Sequence, residues 1–77
     1  MRRAAKPQPA LGAAIRELRS KRGLTQEVLA QEAEITVGHL SMIERGHANP
    51  SWGAVVAVSD ALGVSIAELA KSSEKHS

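Results

Sequence analysis

Apolar residues recur along this chain at helical spacing, in five short segments separated by polar, glycine or proline positions. The first segment places Leu11, Ile15 and Leu18 at i, i+4 and i+7, which predicts an amphipathic helix. Gly23 comes directly after two basic residues and predicts the end of that helix. Arg19 lies four positions after Ile15, so its side chain is expected to lean toward the buried face.

Two short helices are predicted next, and only two or three residues separate them. Thr25 is a candidate N-cap for the second helix, and Thr36 is a candidate N-cap for the third, which stops at Gly46. The inward-facing positions of the two helices are expected to be Val28, Leu29, Ala33, Leu40 and Ile43. Two short helices joined by a tight turn constitute a helix-turn-helix, predicted here over roughly Gln26 to Arg45.

The last two predicted helices are also marked by capping residues. Ser51 can cap a fourth helix that runs through Leu62. Ser65 and Glu68 have the spacing of a capping box at the start of a fifth helix. Trp52 begins the fourth helix, and we expect it to anchor the core.

Length and composition restrict these helices to one small domain. The chain has 77 residues, of which 43% are hydrophobic, and Trp52 is its single aromatic residue. Ala, Val, Leu and Ile must therefore supply the burial, which suits closely packed short helices better than a β-sandwich. We expect a flexible basic arm over residues 1–9, a helical domain over residues 10–70 and a frayed tail over residues 71–77.

Several classes of protein and site are excluded by what the chain lacks. It has no cysteine, so disulfides, thiolate metal sites and thiol catalysis are excluded. No stretch approaches the ~20 apolar residues of a membrane-spanning helix, and the N-terminus lacks the apolar segment of a signal peptide. A soluble, non-exported, cytoplasmic protein without a membrane partner is therefore expected.

The sequence also contains no recognisable catalytic or metal-binding pattern. Its histidines, His39, His47 and His76, do not fall at ligand spacing on one helix face. Neither a glycine-rich phosphate loop nor an arrangement of Ser, His and Asp for nucleophilic catalysis is present. We therefore expect no metal, no cofactor and no enzymatic activity.

Charge is distributed unevenly along the chain. Residues 1–22 contain seven basic residues and one acidic residue, whereas the remainder contains three basic and seven acidic residues. A basic N-terminal end favours a polyanionic partner such as a nucleic acid. The alternative, a charge run that only keeps the chain in solution, stays open on composition alone.

Five stretches of the chain together resemble the phage-repressor and Cro-type helix-turn-helix family. The matching stretches are Ile15 to Arg19, Gly23 to Ala30, Ile35 to Gly46, Asn49 to Ser51, and Leu62 to Ser65. Their order and spacing carry the resemblance, because no single stretch is decisive. It implies an all-α fold: a compact five-helix, lambda-repressor-like DNA-binding domain with its helix-turn-helix at helices 2 and 3.

The resemblance also implies roles for individual residues. The recognition helix, about Thr36 to Arg45, is expected to enter the major groove of double-stranded DNA. The positions that would face bases are Val37, Gly38, His39 and Met42. The positions that would contact phosphates are Thr25, Gln26, Thr36, Ser41, Arg45, Asn49 and Ser51, joined by Arg2, Arg3 and Lys6 of the arm.

Two further residues are assigned to structure, and one departs from the family pattern. Glu44 and Arg19 resemble the internal salt bridge between the third helix and the first, since both lie on or near a buried face. Glu34 stands at the turn position that is usually Gly. It is expected either to adopt left-handed geometry at some strain or to alter the turn.

The function implied by these residues is a sequence-specific transcriptional regulator, expected to be a repressor. A homodimer on a palindromic operator is expected, because one such module makes few base contacts. The dimer surface would lie on the fourth and fifth helices at Val56, Val64 and Ile66. Two alternatives stay open: an antitoxin-type or adaptor module that binds a protein partner such as a toxin, and a restriction-modification controller protein.

Overall fold

A computed structural model describes residues 8–76, which form five α-helices and contain no strand. The helices are α1 (Pro9–Lys21), α2 (Gln26–Ala33), α3 (Val37–Glu44), α4 (Trp52–Leu62) and α5 (Ile66–Glu74). The first helix packs against α3 and α5, and α2 packs against α3 and α4. The predicted all-α, five-helix architecture is therefore confirmed.

Four of these helices begin at hydroxyl side chains, as their sequences predict. The Oγ atoms of Thr25, Thr36, Ser51 and Ser65 accept backbone N–H groups three residues later, at 3.0–3.1 Å. At α5 the bond is reciprocated, because the Ser65 N–H donates to Oε1 of Glu68 at 2.9 Å. That backbone hydrogen bond lowers the pKa of the Glu68 carboxyl. Local bonds therefore determine where these helices begin.

A small aliphatic core lies where the five helices meet. Its members are Ala14, Ile15, Leu29, Ala30, Ala33, Leu40, Ile43, Val58, Leu62 and Leu69. The inward orientation predicted for Val28 is wrong, since that side chain is 40% exposed. Successive residues of a helix point about 100° apart, so the burial of Leu29 turns its neighbour toward solvent.

Trp52 does not anchor the core, contrary to the sequence prediction. Its side chain is 69% exposed, the largest exposure among the large hydrophobic side chains of residues 8–76. It is the first residue of α4, and the core contacts of that helix are made further along, by Val58 and Leu62. The sole aromatic residue is therefore available on the surface.

Both ends of the described chain differ from the predicted boundaries. Pro9, expected in the arm, is the first residue of α1, a position where its fixed φ favours the helix and its missing N–H costs nothing. The tail predicted to fray from Lys71 is helical through Glu74. It is held because α5 packs on α1, where Lys75 and His76 contact Glu17 at 3.8 and 3.0 Å.

The turn between α2 and α3 uses Glu34 in the left-handed conformation, at φ 59° and ψ 40°. It is the only non-glycine residue with positive φ among residues 8–76. The next residue, Ile35, donates its N–H to the carbonyl of Ala30 at 3.0 Å, which closes the end of α2. Glu34 therefore adopts the strained left-handed geometry, and the altered turn that was expected as the alternative is not observed.

Replacing Glu34 with glycine is therefore expected to stabilise the fold by roughly 0.5–1 kcal/mol, as relief of left-handed strain exceeds the added unfolded-state entropy. A matched control is Glu32→Gly, which removes the same charge from within α2. That change should destabilise by roughly 0.5–1 kcal/mol. Urea unfolding followed by circular dichroism measures both; effects of the same sign would contradict the strain argument.

Candidate nucleic-acid interface

The outward side of α3 carries the four positions that the family resemblance assigns to base contacts. Val37 and Met42 are 38% and 37% exposed, and Gly38 and His39 are exposed as well. On the inner side of the same helix, Leu40 is completely buried. The helix is thus anchored by one side while it presents the other to solvent.

Three of the predicted phosphate-contacting residues are the exposed hydroxyl caps Thr25, Thr36 and Ser51. Each oxygen accepts a backbone bond, and its own hydroxyl proton can still be donated outward. The first N–H groups of a helix have no intrahelical partners, so helix N-termini attract anions. A fourth predicted residue, Asn49, is exposed in the loop before α4.

Helix α3 is joined to α1 by a buried ion pair. Arg19 donates Nε to Oε2 of Glu44 at 2.7 Å and Nη2 to Oε1 at 3.1 Å. Only 1% of the Glu44 side chain and 15% of the Arg19 side chain are exposed. The hydrogen bond to Glu44 raises the pKa of Arg19 further above its already high value. This bidentate pair fixes the orientation of α3 against α1.

Arg19 and Glu44 also connect to the start of α2. The Nη1 atom of Arg19 donates to the carbonyl of Leu24 at 2.9 Å, and Nε2 of Gln26 donates to Oε1 of Glu44 at 3.0 Å. Only the amide nitrogen can donate to a carboxylate, so this contact determines the orientation of the Gln26 amide. The ion pair thus positions a residue that the resemblance assigns to phosphate contact.

One cavity of about 210 Å³ is lined by three of the predicted phosphate-contacting residues, Gln26, Ser41 and Arg45. The remaining lining residues are Arg16, Arg19 and Glu44. Sequence reasoning assigned no role to Arg16. Its position three residues before Arg19 could have indicated a role, because it places the two side chains on neighbouring parts of one helix surface.

The residues predicted for a dimer surface lie at separate places. Ile66 lines a groove of about 340 Å³ that it shares with Trp52 and Val55. Val64 lines a different groove, of about 570 Å³, between α1 and α5. Val56 is half-buried on α4 and lines neither groove. The arm residues Arg2, Arg3 and Lys6 lie outside the described residues.

Among residues 8–76, no group of three or more His, Cys, Asp or Glu side chains is placed to hold a metal ion. In the same range, no single helix is long and apolar enough to cross a membrane.

This chain is similar in sequence and in structure to several known proteins. An immunity repressor protein of Bacillus phage phi105 is 37% identical over 59 residues, which cover 77% of this chain and 41% of the repressor. The chain therefore spans less than half the length of that relative. Among solved structures, the clp gene regulator ClgR from Corynebacterium glutamicum matches with a TM-score of 0.85 and 35% identity, over 90% of both chains.

A second solved structure contains DNA. It is the restriction-modification controller protein C.Esp1396I, a tetramer in complex with its natural 35 base-pair operator. It matches with a TM-score of 0.81 and 25% identity, over 88% of this chain and 90% of that one. The profile of the helix-turn-helix domain family matches residues 10–71. With this match over most of its length, the chain belongs to the helix-turn-helix family of transcriptional regulators.

Proposed function

We propose that this chain represses transcription by binding a palindromic operator as a homodimer, with α3 in the major groove. The observation that carries the proposal is the exposed side of α3, which the buried pair of Arg19 and Glu44 holds beside the capped N-terminus of α2. A rigid helix with an anchored inner side can be inserted into a groove as a unit. The phage repressor and the operator-bound controller protein support the same reading.

Base recognition would depend on few hydrogen bonds. Val37 and Met42 can contact thymine methyl groups, and His39 can donate to a guanine acceptor. Gly38 has no atom within 4 Å of an added Cβ, so its backbone is open to close approach by a base edge. Phosphate contacts and dimerisation would supply most of the affinity, because this set contains no side chain that binds a base through two hydrogen bonds.

Two subunits would place their recognition helices about one helical turn of DNA apart, roughly 34 Å. The proposed contacts between subunits are made by α4 and α5. The exposed Trp52 supports this assignment, since it adds a large apolar surface beside Ile66. The basic arm residues Arg2, Arg3 and Lys6 would add further phosphate attraction.

Selection from random duplexes tests sequence-specific binding. We expect an enriched palindromic motif, and we expect His39→Ala to relax it at one base pair per half-site with about a ten-fold loss of discrimination. His47→Ala is the matched control: it removes an exposed histidine just after α3 and should leave the motif unchanged. If the chain enriches no motif, the proposed function fails and a protein-binding adaptor becomes the better explanation.

A second candidate function is control of a restriction-modification system. The structural match to the operator-bound controller protein favours it. Such a protein would bind operator DNA through the same surface, so the two candidates differ in the genes that they control. An endonuclease gene next to the gene for this chain, with an enriched motif upstream of that gene, would select this candidate.

A further inference from the structure

The cavity lined by Gln26, Ser41 and Arg45 is surrounded by more positive charge than the helix-turn-helix itself carries. Three of its lining residues are arginines: Arg16 and Arg19 of α1, and Arg45, the C-cap residue of α3. At about 210 Å³, the cavity can accept a small anionic group. Its only carboxylate is that of Glu44.

That carboxylate is already neutralised. Both oxygens of Glu44 accept hydrogen bonds from Arg19, and Oε1 accepts a third from Gln26. The charge of Arg19 is in turn balanced by Glu44, and its Nη1 atom donates to the Leu24 carbonyl. Neither residue is therefore available to balance another charge in the cavity.

The other two guanidinium groups have no acidic partner. Over residues 8–76, neither Arg16 nor Arg45 forms an ion pair. The one hydrogen bond recorded for the Arg45 side chain goes to Sδ of Met42 at 3.8 Å, and a thioether is a weak acceptor. Both residues are exposed. The cavity is thus bordered by two uncompensated positive charges on opposite elements, α1 and the end of α3.

Two neutral donors lie in the same lining. The amide nitrogen of Gln26 has two N–H groups, of which one goes to Glu44 and the second can be donated elsewhere. Ser41, half-buried on α3, contributes a hydroxyl. Guanidinium, amide and hydroxyl donors around a small space match the acceptor oxygens of a phosphate, and Arg can bind phosphate through two parallel bonds.

We propose that Arg16 of α1 is a further phosphate-contacting residue, which binds the same DNA backbone phosphate that the family resemblance assigns to Gln26, Ser41 and Arg45. This inference rests on the proposed function, because the phosphate belongs to duplex DNA. It extends the DNA-binding surface to a residue outside the helix-turn-helix. The contact is independent of base sequence, so it contributes affinity and salt dependence without changing the preferred motif.

The test compares Arg16→Gln with Arg22→Gln in the full 77-residue chain. Arg22 follows α1 and its guanidinium lies beside Gly63 at the end of α4, away from the cavity, so this control removes the same charge elsewhere. Binding to a mixed-sequence duplex is followed by fluorescence anisotropy between about 50 and 200 mM KCl. Arg16→Gln should reduce the salt slope by about 0.9 per subunit, or about 1.8 for a dimer. Arg22→Gln should leave the slope as in the unmodified chain.

The outcomes separate this inference from the proposed function. A reduced slope for Arg16→Gln alone, with the enriched motif and the urea midpoint unchanged, supports the phosphate contact. Equal slopes for the two variants overturn it, since the effect would then be one of net charge only. If the unmodified chain binds no duplex at all, the proposed function fails and this inference fails with it.

Discussion

Replacing Arg19 with methionine is expected to lower the free energy of unfolding by about 3–5 kcal/mol, because a buried carboxylate loses its counter-charge. The side chain of Glu44 is 1% exposed, and two of its three hydrogen bonds come from Arg19. Small domains have total stabilities near the lower end of about 5–15 kcal/mol. The variant should therefore retain at most about 2 kcal/mol of stability at room temperature, as measured by urea denaturation with circular dichroism.

Two controls distinguish this ion pair from an ordinary surface pair. Arg16→Met makes the same substitution at an exposed site of the same helix and should change stability by less than about 0.5 kcal/mol. The double variant Arg19→Met with Glu44→Leu removes both charges, so it should recover much of the loss. A loss below about 1 kcal/mol for Arg19→Met alone would mean that the pair is as weak as an exposed one.

The second large effect is expected at Gly12, where α1 and α3 touch through their backbones. A Cβ atom added to Gly12 would overlap the carbonyl oxygen of Ile43 and lie 3.0 Å from that of Glu44. Backbone atoms cannot rotate away as a side chain can, so the two helices would have to separate. Gly12→Ala should destabilise the fold by about 3 kcal/mol, at the upper end of overpacking effects.

Gly53→Ala is the matched control for this substitution. Gly53 also lies within a helix, α4, and an added Cβ would meet only the Ser51 Oγ, at 3.9 Å. Alanine has the higher helix propensity, so this change should stabilise the fold by up to about 1 kcal/mol. The two variants should thus shift the urea midpoint in opposite directions, and a tolerated Gly12→Ala would show that α1 and α3 can move apart cheaply.

Both substitutions act on the placement of α3, the proposed recognition helix. Arg19 and Gly12 lie on α1, and each contacts α3 at Glu44 or at the adjacent Ile43. One contact is a bidentate ion pair and the other is a close backbone approach. Since α3 would enter the groove as a rigid unit, we expect DNA binding to weaken in these variants as the folded fraction falls.

The amino-acid sequence by itself determined the helices and the family. Thr25, Thr36, Ser51 and Ser65 cap the four helices whose starts they predict, because capping depends on a side chain and a backbone N–H only three residues apart. The order and spacing of the five matching stretches were likewise sufficient to identify a helix-turn-helix. Such features need no knowledge of how the helices pack.

The tertiary structure decided which surfaces these helices present. The exposure of Trp52, the packing of α5 through Glu74 on α1, and the contact of Gly12 with α3 all depend on helices that are distant in sequence. The same holds for the cavity that joins Arg16 to Arg45. Periodicity shows that a helix has an apolar side, but how far that side is covered depends on the angle and distance of its neighbours.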